Sequence, residues 1–251
     1  MAFKFALAGN PNSGKTTLFN ALTGSNAHVG NWPGVTVEKK EGIYKKKVLG
    51  ETISLIDLPG IYSTSPYSPE EIVARNYIIN DKPDAIINIV DATNLTRNLY
   101  LTTELIEIDI PVVIALNFVD VLEKDKIEFD ALVLEKELGV KVVPISAHRK
   151  KGLDELMKVT IEAASSESIG TSVLEKSFGN EIQKVKDILK SLNIFSPVYS
   201  AIKLLEGDKP LEDSLNLDDK IKQIISDIRT SLIQDDDDIE ALIADCRYDF
   251  I

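Results

Sequence analysis

The chain has 251 residues, 44% of them hydrophobic and 27% charged, and a net charge of −12. That length buries a sizeable core in one large domain or two smaller ones, and the composition is that of an ordinary globular protein. The acidic balance argues against nucleic acid as main partner, and the single cysteine, Cys246, excludes an internal disulfide framework. No basic and apolar leader opens the chain. The longest apolar stretch, residues 110–122, is broken by Asn117 and Asp120 and is too short for a membrane span. The one cysteine fits a reducing compartment, and its periodic setting reads as a small buried hydrophobe. From residue 235 to the end, seven acids face one arginine, a net of −6, half of the whole imbalance. The run Asp235-Asp236-Asp237-Asp238 reads as a helix N-terminus favoured by the dipole rather than as a metal site.

In chain order, residues 3–165 alternate short β-rich runs with helical stretches. This predicts an α/β fold with a mostly parallel, six-stranded sheet and helices on both faces. The expected strands are residues 3–8, 37–48, 52–57, 85–90, 112–117 and 142–145. The second is unlike the rest, because Glu38-Lys39-Lys40-Glu41 and Lys45-Lys46-Lys47 are too polar for a sheet centre. Its turn at Leu49-Gly50-Glu51 predicts an antiparallel hairpin with a charged edge. The other strands are apolar, as buried parallel strands are. Around residues 165–171 the small polar residues predict a linker, giving domains at 1–165 and 166–251. Beyond it Leu174, Phe178, Ile182, Val185, Ile188, Leu189 and Leu192 recur at helical spacing, as do Ile221, Ile224, Ile225, Ile228 and Leu232. Pro197 opens a third helix through Leu204 and Leu205, and Asp238 to Cys246 makes a fourth, so a small all-helical domain is expected.

The first strand runs into Gly9-Asn10-Pro11-Asn12-Ser13-Gly14-Lys15-Thr16 and then Thr17-Leu18-Phe19. A strand, a glycine-bounded loop and a helix start are what a phosphate cradle requires. Main-chain N–H groups turn inward, and the helix N-terminus adds positive potential. Lys15 is placed to reach the β- and γ-phosphates, and the Thr16 hydroxyl to hold Mg²⁺. Asp57-Leu58-Pro59-Gly60 ends an apolar strand 42 residues after Lys15. There an acid can reach the outer Mg²⁺ shell and the Gly60 amide the γ-phosphate. Thr36, between loop and strand, can complete the metal shell with its hydroxyl and touch the γ-phosphate with its N–H.

Asn117-Phe118-Val119-Asp120 closes the fifth strand. The Asp120 carboxylate accepts two hydrogen bonds, which suits the N1–H and N2–H₂ donors of guanine; adenine leaves it unpaired. Ser146-Ala147-His148 follows the sixth strand, where a main-chain N–H can meet guanine O6. The motifs stand at consecutive strand C-termini, where α/β sheets place ligands.

These motifs resemble those of translation-factor-type G proteins, P-loop GTPases. Their wording is similar to that of the N-terminal cytosolic G domain of the FeoB-type ferrous iron transporters. The resemblance is carried by residues 9–20 and by the switch-like Val29-Gly30-Asn31-Trp32-Pro33-Gly34-Val35-Thr36-Val37-Glu38. It continues through Asp57 to Ser63, Ser65-Pro66-Tyr67-Ser68-Pro69-Glu70-Glu71 and the closing Ala244-Asp245-Cys246-Arg247-Tyr248, covering essentially the whole chain. It implies binding of GTP and GDP, hydrolysis of GTP with Mg²⁺, and nucleotide contacts from residues 9–17, 34–36, 57–60, 117, 118, 120 and 146–148. It also implies a K⁺ beside the phosphates, held by Asn12 with carbonyls of the Gly30–Trp32 segment. It further implies a place on the cytoplasmic face of the cell membrane and, as partner, the chain's own transmembrane iron-permease portion, absent here. A homo-oligomer stays open.

Two residues bear on rate. Ile61 stands where many GTPases carry a water-orienting Gln, so hydrolysis is expected to be slow unless another element supplies positive charge. Phe118 replaces the Lys that commonly lies over the guanine ring, which predicts a weaker grip and fast GDP release. Trp32 reads either as a shield of the nucleotide or as a packing anchor; Glu70 and Glu71 either position water or start a helix. The leading reading is a slow GTPase whose two loops, about residues 25–38 and 58–72, order around the γ-phosphate. An RNA- or ribosome-associated G protein is the alternative that the acidic balance opposes. A nucleotide-gated interaction module with negligible turnover is the one that Ile61 keeps open, and an ATP-using kinase fits least with Asp120.

Overall fold

The apolar runs of the first half form strands because both of their faces are covered. Phe5, Leu7, Ile53, Leu55, Ile87, Ile89, Val113, Ala115, Val143 and Ile145 share one face of a sheet. The computed structural model describes residues 2–24, 27–47, 50–166, 170–232 and 238–251. Its strands are β1 (Ala2–Gly9), β2 (Ala27–Asn31), β3 (Glu38–Ile43), β4 (Thr52–Asp57), β5 (Ala85–Asp91), β6 (Val112–Asn117) and β7 (Lys141–Pro144). They form one seven-stranded sheet in the order β2-β3-β4-β1-β5-β6-β7. β1 pairs in parallel with β4 and β5, β5 with β6, and β6 with β7, while β2–β3 and β3–β4 are antiparallel.

Two helices cover the first face. From α1 (Lys15–Thr23) come Leu18, Phe19 and Leu22; from α6 (Leu153–Ala164) come Leu153, Leu156, Met157 and Ile161. The opposite face carries α3 (Leu95–Leu105), whose Thr102 hydroxyl donates to the buried Asn88 side chain of β5 at 2.6 Å. Three further helices, α2 (Pro69–Asn76), α4 (Val119–Asp125) and α5 (Ala131–Leu138), link the strands, and α2 continues as a π-helical turn at Tyr77–Asp81.

The expected six strands become seven, and the edge is not where the charges placed it. β2 arises from a stretch of the switch-like loop whose residues stay largely exposed. Its order comes from ladder bonds to β3 rather than from burial, so no apolar alternation marks it. The lysine-rich β3 is therefore one strand in from the edge. It manages its charges on the sheet faces through Lys40–Glu38 (2.6 Å) and Lys39–Glu41 (3.3 Å). Residues 48 and 49 of the expected turn, 167–169 of the expected linker and 235–237 of the acidic run lie outside the described residues.

The chain divides into two compact units, Met1–Leu105 with Ile110–Ser168, and Ile106–Asp109 with Ile169–Ile251. The second is helical: α7 (Glu175–Ser191), α8 (Pro197–Glu206), α9 (Lys209–Ser214), α10 (Asp219–Leu232) and α11 (Ile239–Phe250). Leu174, Phe178, Ile182, Val185 and Leu189 pack with Val198, Ala201, Ile202 and Leu205 of α8 and with Ile225, Ile239 and Ile243. Asp238 caps α11 by accepting from the Glu240 amide, and Cys246 packs half-buried on this core. The short α9 carried no periodic signal; Asp208 at its N-cap and Pro210 in its first turn start it. Within this unit the 106–109 turn is held by a fully buried pair. Arg247 Nη1 and Nη2 donate to the two Glu107 oxygens at 2.9 and 2.7 Å, and Ser172 Oγ adds a third bond at 2.7 Å.

Removing one partner of such a pair strands the other charge. Arg247→Ala is expected to cost about 3–5 kcal/mol, read as a lower urea midpoint of the far-UV helical signal. Glu107→Leu combined with Arg247→Met should recover most of that loss. A single-variant loss below about 1 kcal/mol would refute the weight given to the pair.

Candidate functional site

The loop after β1 is shaped by main-chain geometry. Ser13 N donates to Asn10 O at 3.2 Å, Asn12 adopts φ 67°, and Gly14 adopts φ 92° at the cap of α1. At Gly14 a Cβ would lie 2.2 Å from Asn117 Nδ2, so only glycine fits. No side chain caps α1, which leaves the first-turn amides of Lys15, Thr16 and Thr17 without a capping acceptor, and all three residues line one space. That space is a cleft of about 540 Å³ lined by Asn10, Pro11, Asn12, Gly14, Lys15, Thr16, Thr17, Gly60 and Phe118. Its wall is an array of N–H donors beside one lysine, chemistry suited to a polyanion.

Asn117, at the end of β6, braces this wall. Its Nδ2 donates to Ser13 O at 3.0 Å, and its Oδ1 accepts from Ala147 N at 3.0 Å, all three groups being buried. One amide thus ties the phosphate-type loop to the turn after β7. That turn is closed by reciprocal main-chain bonds between Ser146 and Lys151 at 3.1 Å. The Ala147 amide is therefore already engaged; the next one, of His148, donates to no described group. Phe118 sits at φ 66° with its ring edge over Gly14. Asp120 lies in the first turn of α4, its side chain only 15% exposed, with its Oδ2 on Arg149 Nε at 3.1 Å.

Asp57 ends β4 and receives Lys15 Nζ at 2.6 Å, both side chains being buried. This pairs the loop's cation with the one carboxylate at the phosphate end. Thr16 and Asp57 are hard oxygen donors suited to Mg²⁺, and no group of three metal-ligating side chains occurs among the described residues.

The β2–β3 hairpin behaves differently. Gly30 is within the ladder, Gly34, Val35 and Thr36 are exposed at its tip, and none of them lines the cleft. Trp32 is not exposed: it is 9% accessible, edge-on to Tyr77 at 5.3 Å with Lys39 Nζ over its ring, and its carbonyl accepts from Val35 N. Packing, not shielding, is its role in this structure. Burial first, then the charges of Asp81, Glu41 and Asp84, pushes the Tyr77 phenol far above its ordinary range. Asn12 fits a K⁺ as an oxygen donor at the cleft, whereas the Gly30 and Trp32 carbonyls do not meet it there. Glu70 and Glu71 start α2, with Ser68 and Glu71 forming a capping box.

Residues of α3 were not singled out by motif. Glu104 is buried and accepts from Thr64 N at 2.6 Å and Ser63 Oγ at 3.1 Å. The Arg97 carbonyl accepts from Asn10 Nδ2 at 3.0 Å. These bonds join residues 40 and 87 positions apart, and no local pattern announces them.

The family described as Ferrous iron transport protein B matches residues 3–160, and the FeoB cytosolic helical domain matches residues 175–251. The chain is 44% identical to the Fe(2+) transporter FeoB of Methanocaldococcus jannaschii, covering 100% of this chain and 38% of that protein. It is 41% identical to an Fe(2+) transport protein A/Fe(2+) transporter FeoB fusion protein of Porphyromonas gingivalis, covering 99% and 31%. The chain thus spans about a third of the length of the curated relatives it matches. Among solved structures it is similar to a GDP-bound point mutant of the S. thermophilus FeoB G-domain (TM-score 0.92, 43% identity, 99% of this chain and 96% of that one). It is also similar to S. thermophilus NFeoB bound to GDP·AlF4− and K⁺ (TM-score 0.87, 43% identity, 99% and 97%).

Because Asn117 satisfies two buried main-chain groups, Asn117→Ala is expected to lower stability by about 2–4 kcal/mol before any nucleotide is added. Asp120→Ala, which breaks one partly exposed pair, should cost less than about 1 kcal/mol. Thermal unfolding of the nucleotide-free chains checks the contrast.

Proposed function

The chain belongs to the ferrous iron transport protein B family, and from that membership we propose that it binds GTP, hydrolyses it slowly to GDP and phosphate with Mg²⁺, and thereby regulates Fe(II) passage through a membrane portion of the same protein. The observation that carries this reading is the cleft itself, where an uncapped helix start and Lys15 lie at one end and Asp120 stands beyond Phe118. No helix among the described residues is long and apolar enough to cross a membrane. The chain covers about a third of its relatives' length, and in this reading the transport partner is the remainder of such a protein, with the work done at the cytosolic face.

In the proposed bound state the amides of residues 9–17 grip the phosphates and Lys15 exchanges Asp57 for the β- and γ-phosphates. Thr16, Thr36 and, in the outer shell, Asp57 would hold Mg²⁺, which supplies charge neutralisation between the phosphates. The Gly60 amide meets the γ-phosphate. Asp120 pairs with guanine N1–H and N2–H₂, and an amide of the 146–148 turn meets O6. Phe118 offers the base an apolar face without the cationic reach of a lysine. The exposed tip of the β2–β3 hairpin, carrying Gly34, Val35 and Thr36, must move to join the site, and in this reading Trp32, which precedes it, gives up its contact with Tyr77. K⁺ as an activator, with Asn12 among its ligands, belongs to the same proposal. A second reading, a nucleotide-gated module with negligible turnover, is favoured by the buried Ile61, which offers no polar group to a water.

A panel of GTP, ATP and XTP run in K⁺ and in Na⁺ tests the reading. GTP should be preferred over ATP by roughly a hundredfold or more, with phosphate release faster in K⁺. Asp120→Asn should move preference towards xanthine; unchanged GTP affinity in that variant, or equal use of adenine nucleotides by the parent, refutes it. Phosphate release absent in both salts selects the module reading.

The sole tryptophan reports the hairpin. GTP with Mg²⁺, but not GDP, should red-shift Trp32 emission as it leaves Tyr77. Thr36→Ala should abolish that shift while leaving GDP affinity within about twofold.

A further inference from the structure

Ile61, directly after Gly60, has no polar side chain to orient a water, so the placement of the Gly60-Ile61-Tyr62 loop against the phosphate-type loop matters. Three contacts set it. Ile61 N donates to Gly9 O at 3.2 Å; Gly60 lies so close to Pro11 that a Cβ would be 3.2 Å from the Pro11 Cα; and the Arg97 guanidinium sits 4.5 Å over the Tyr62 ring. The main chain of Arg97 is tied to the other side of the cleft, because its carbonyl takes the buried Asn10 amide. One residue of α3 therefore touches both loops.

Elimination narrows the choice further. Of the other arginines, Arg75 is buried, Arg149 is on Asp120, and Arg229 and Arg247 belong to the helical unit. Arg97 is exposed and has no carboxylate partner among the described residues, so its aromatic contact is not a by-product of an ion pair. Glu104, seven residues on and hence on the same face of α3, takes Thr64 N and Ser63 Oγ. The helix holds the loop at two points, a buried acid and an exposed cation.

We propose that Arg97 is a positioning residue for GTP hydrolysis: its stack on Tyr62 holds the Gly60-Ile61-Tyr62 loop against the phosphate-type loop, where the Gly60 amide is needed. This rests on the GTPase reading for its kinetic consequence and on geometry alone for the clamp. A cation over a half-exposed ring contributes modestly, so the loop is restrained yet free to move during turnover. Because the stack touches neither base nor ribose, its loss should appear in kcat rather than in nucleotide grip.

The test uses the full chain with Mg²⁺-GTP in K⁺, mant-GDP as the binding probe, and amide exchange at Ile61 as a readout independent of turnover. Arg97→Ala and Tyr62→Ala should each lower kcat about two- to tenfold, leaving KM and mant-GDP affinity within about twofold. The double variant should be no slower than either single one, and Arg97→Lys should recover at least half of the lost rate. Ile61 exchange should accelerate in both alanine variants. The proposal is overturned if Arg97→Ala leaves kcat and Ile61 exchange unchanged, if mant-GDP affinity falls as much as kcat, or if losing Arg97 costs far more than losing Tyr62, which would mean direct contact with phosphate. Faster Ile61 exchange in both variants of a chain that releases no phosphate would support the clamp and refute the GTPase reading.

Discussion

The arrangement of the cleft depends on one side-chain amide. Asn117 gives its N–H to Ser13 O and takes the N–H of Ala147, so the loop after β1 and the turn after β7 share one rigid spacer. A buried amide that meets two buried main-chain groups fixes their separation, since losing either bond leaves a desolvated group unpaired. The spacing between the phosphate end and the base end is thus set by covalent geometry within a single residue. Gly14 completes the constraint: the amide occupies the volume that a Cβ there would need.

Against this fixed frame the charges compensate one another. Lys15 rests on Asp57 and Asp120 rests on Arg149. Buried or half-buried charges are costly unless paired, and these two pairings offset that cost. In the proposed GTPase reading, a magnesium nucleotide would exchange these partners: Asp57 would face the metal and Lys15 the phosphates. Such an exchange would couple metal and phosphate, because either alone would leave one member of the Lys15–Asp57 pair without its counterion.

What was legible in the sequence is what local chemistry encodes. The glycine-bounded loop, the apolar parallel strands and the helical periods after residue 170 follow from backbone conformations and burial within a few residues, and all are found where expected. β2 escaped because an edge strand ordered by ladder bonds needs no apolar alternation, and α9 because six residues are too few for a period. For Trp32 the sequence left shield and packing anchor open, because the partner that decides it, Tyr77, is 45 positions away in a π-helical turn. Asn10, Asn117, Arg97 and Glu104 act through bonds that span 30 to 104 positions. Asn117 could be found only because it shares a motif with Asp120, and even there the motif pointed to the base rather than to the brace. Arg247 stood out only within the closing segment of the resemblance, and nothing there pointed to Glu107, 140 residues away.

In the proposed GTPase, Ile61 makes these distant bonds matter for rate. Where a glutamine orients the attacking water, a loop can wander and still present the right group on arrival. Where the side chain is aliphatic and buried, only main-chain amides remain, and an amide donor stabilises developing charge only if it is held within a few tenths of an ångström of its place. The cost of ordering the loop is then better met before the nucleotide arrives than during the reaction. Glu104 meets it by accepting a main-chain N–H in a buried setting, and Arg97 extends the same hold to the exposed end of the loop without adding a buried charge. A lysine at position 97 would keep a cation over the ring, and so much of the hold, while giving up the flat guanidinium. A loop without a catalytic side chain is thereby made dependent on the helix beside it, and α3 becomes as much a part of the site as the glycine-bounded loop that announces it.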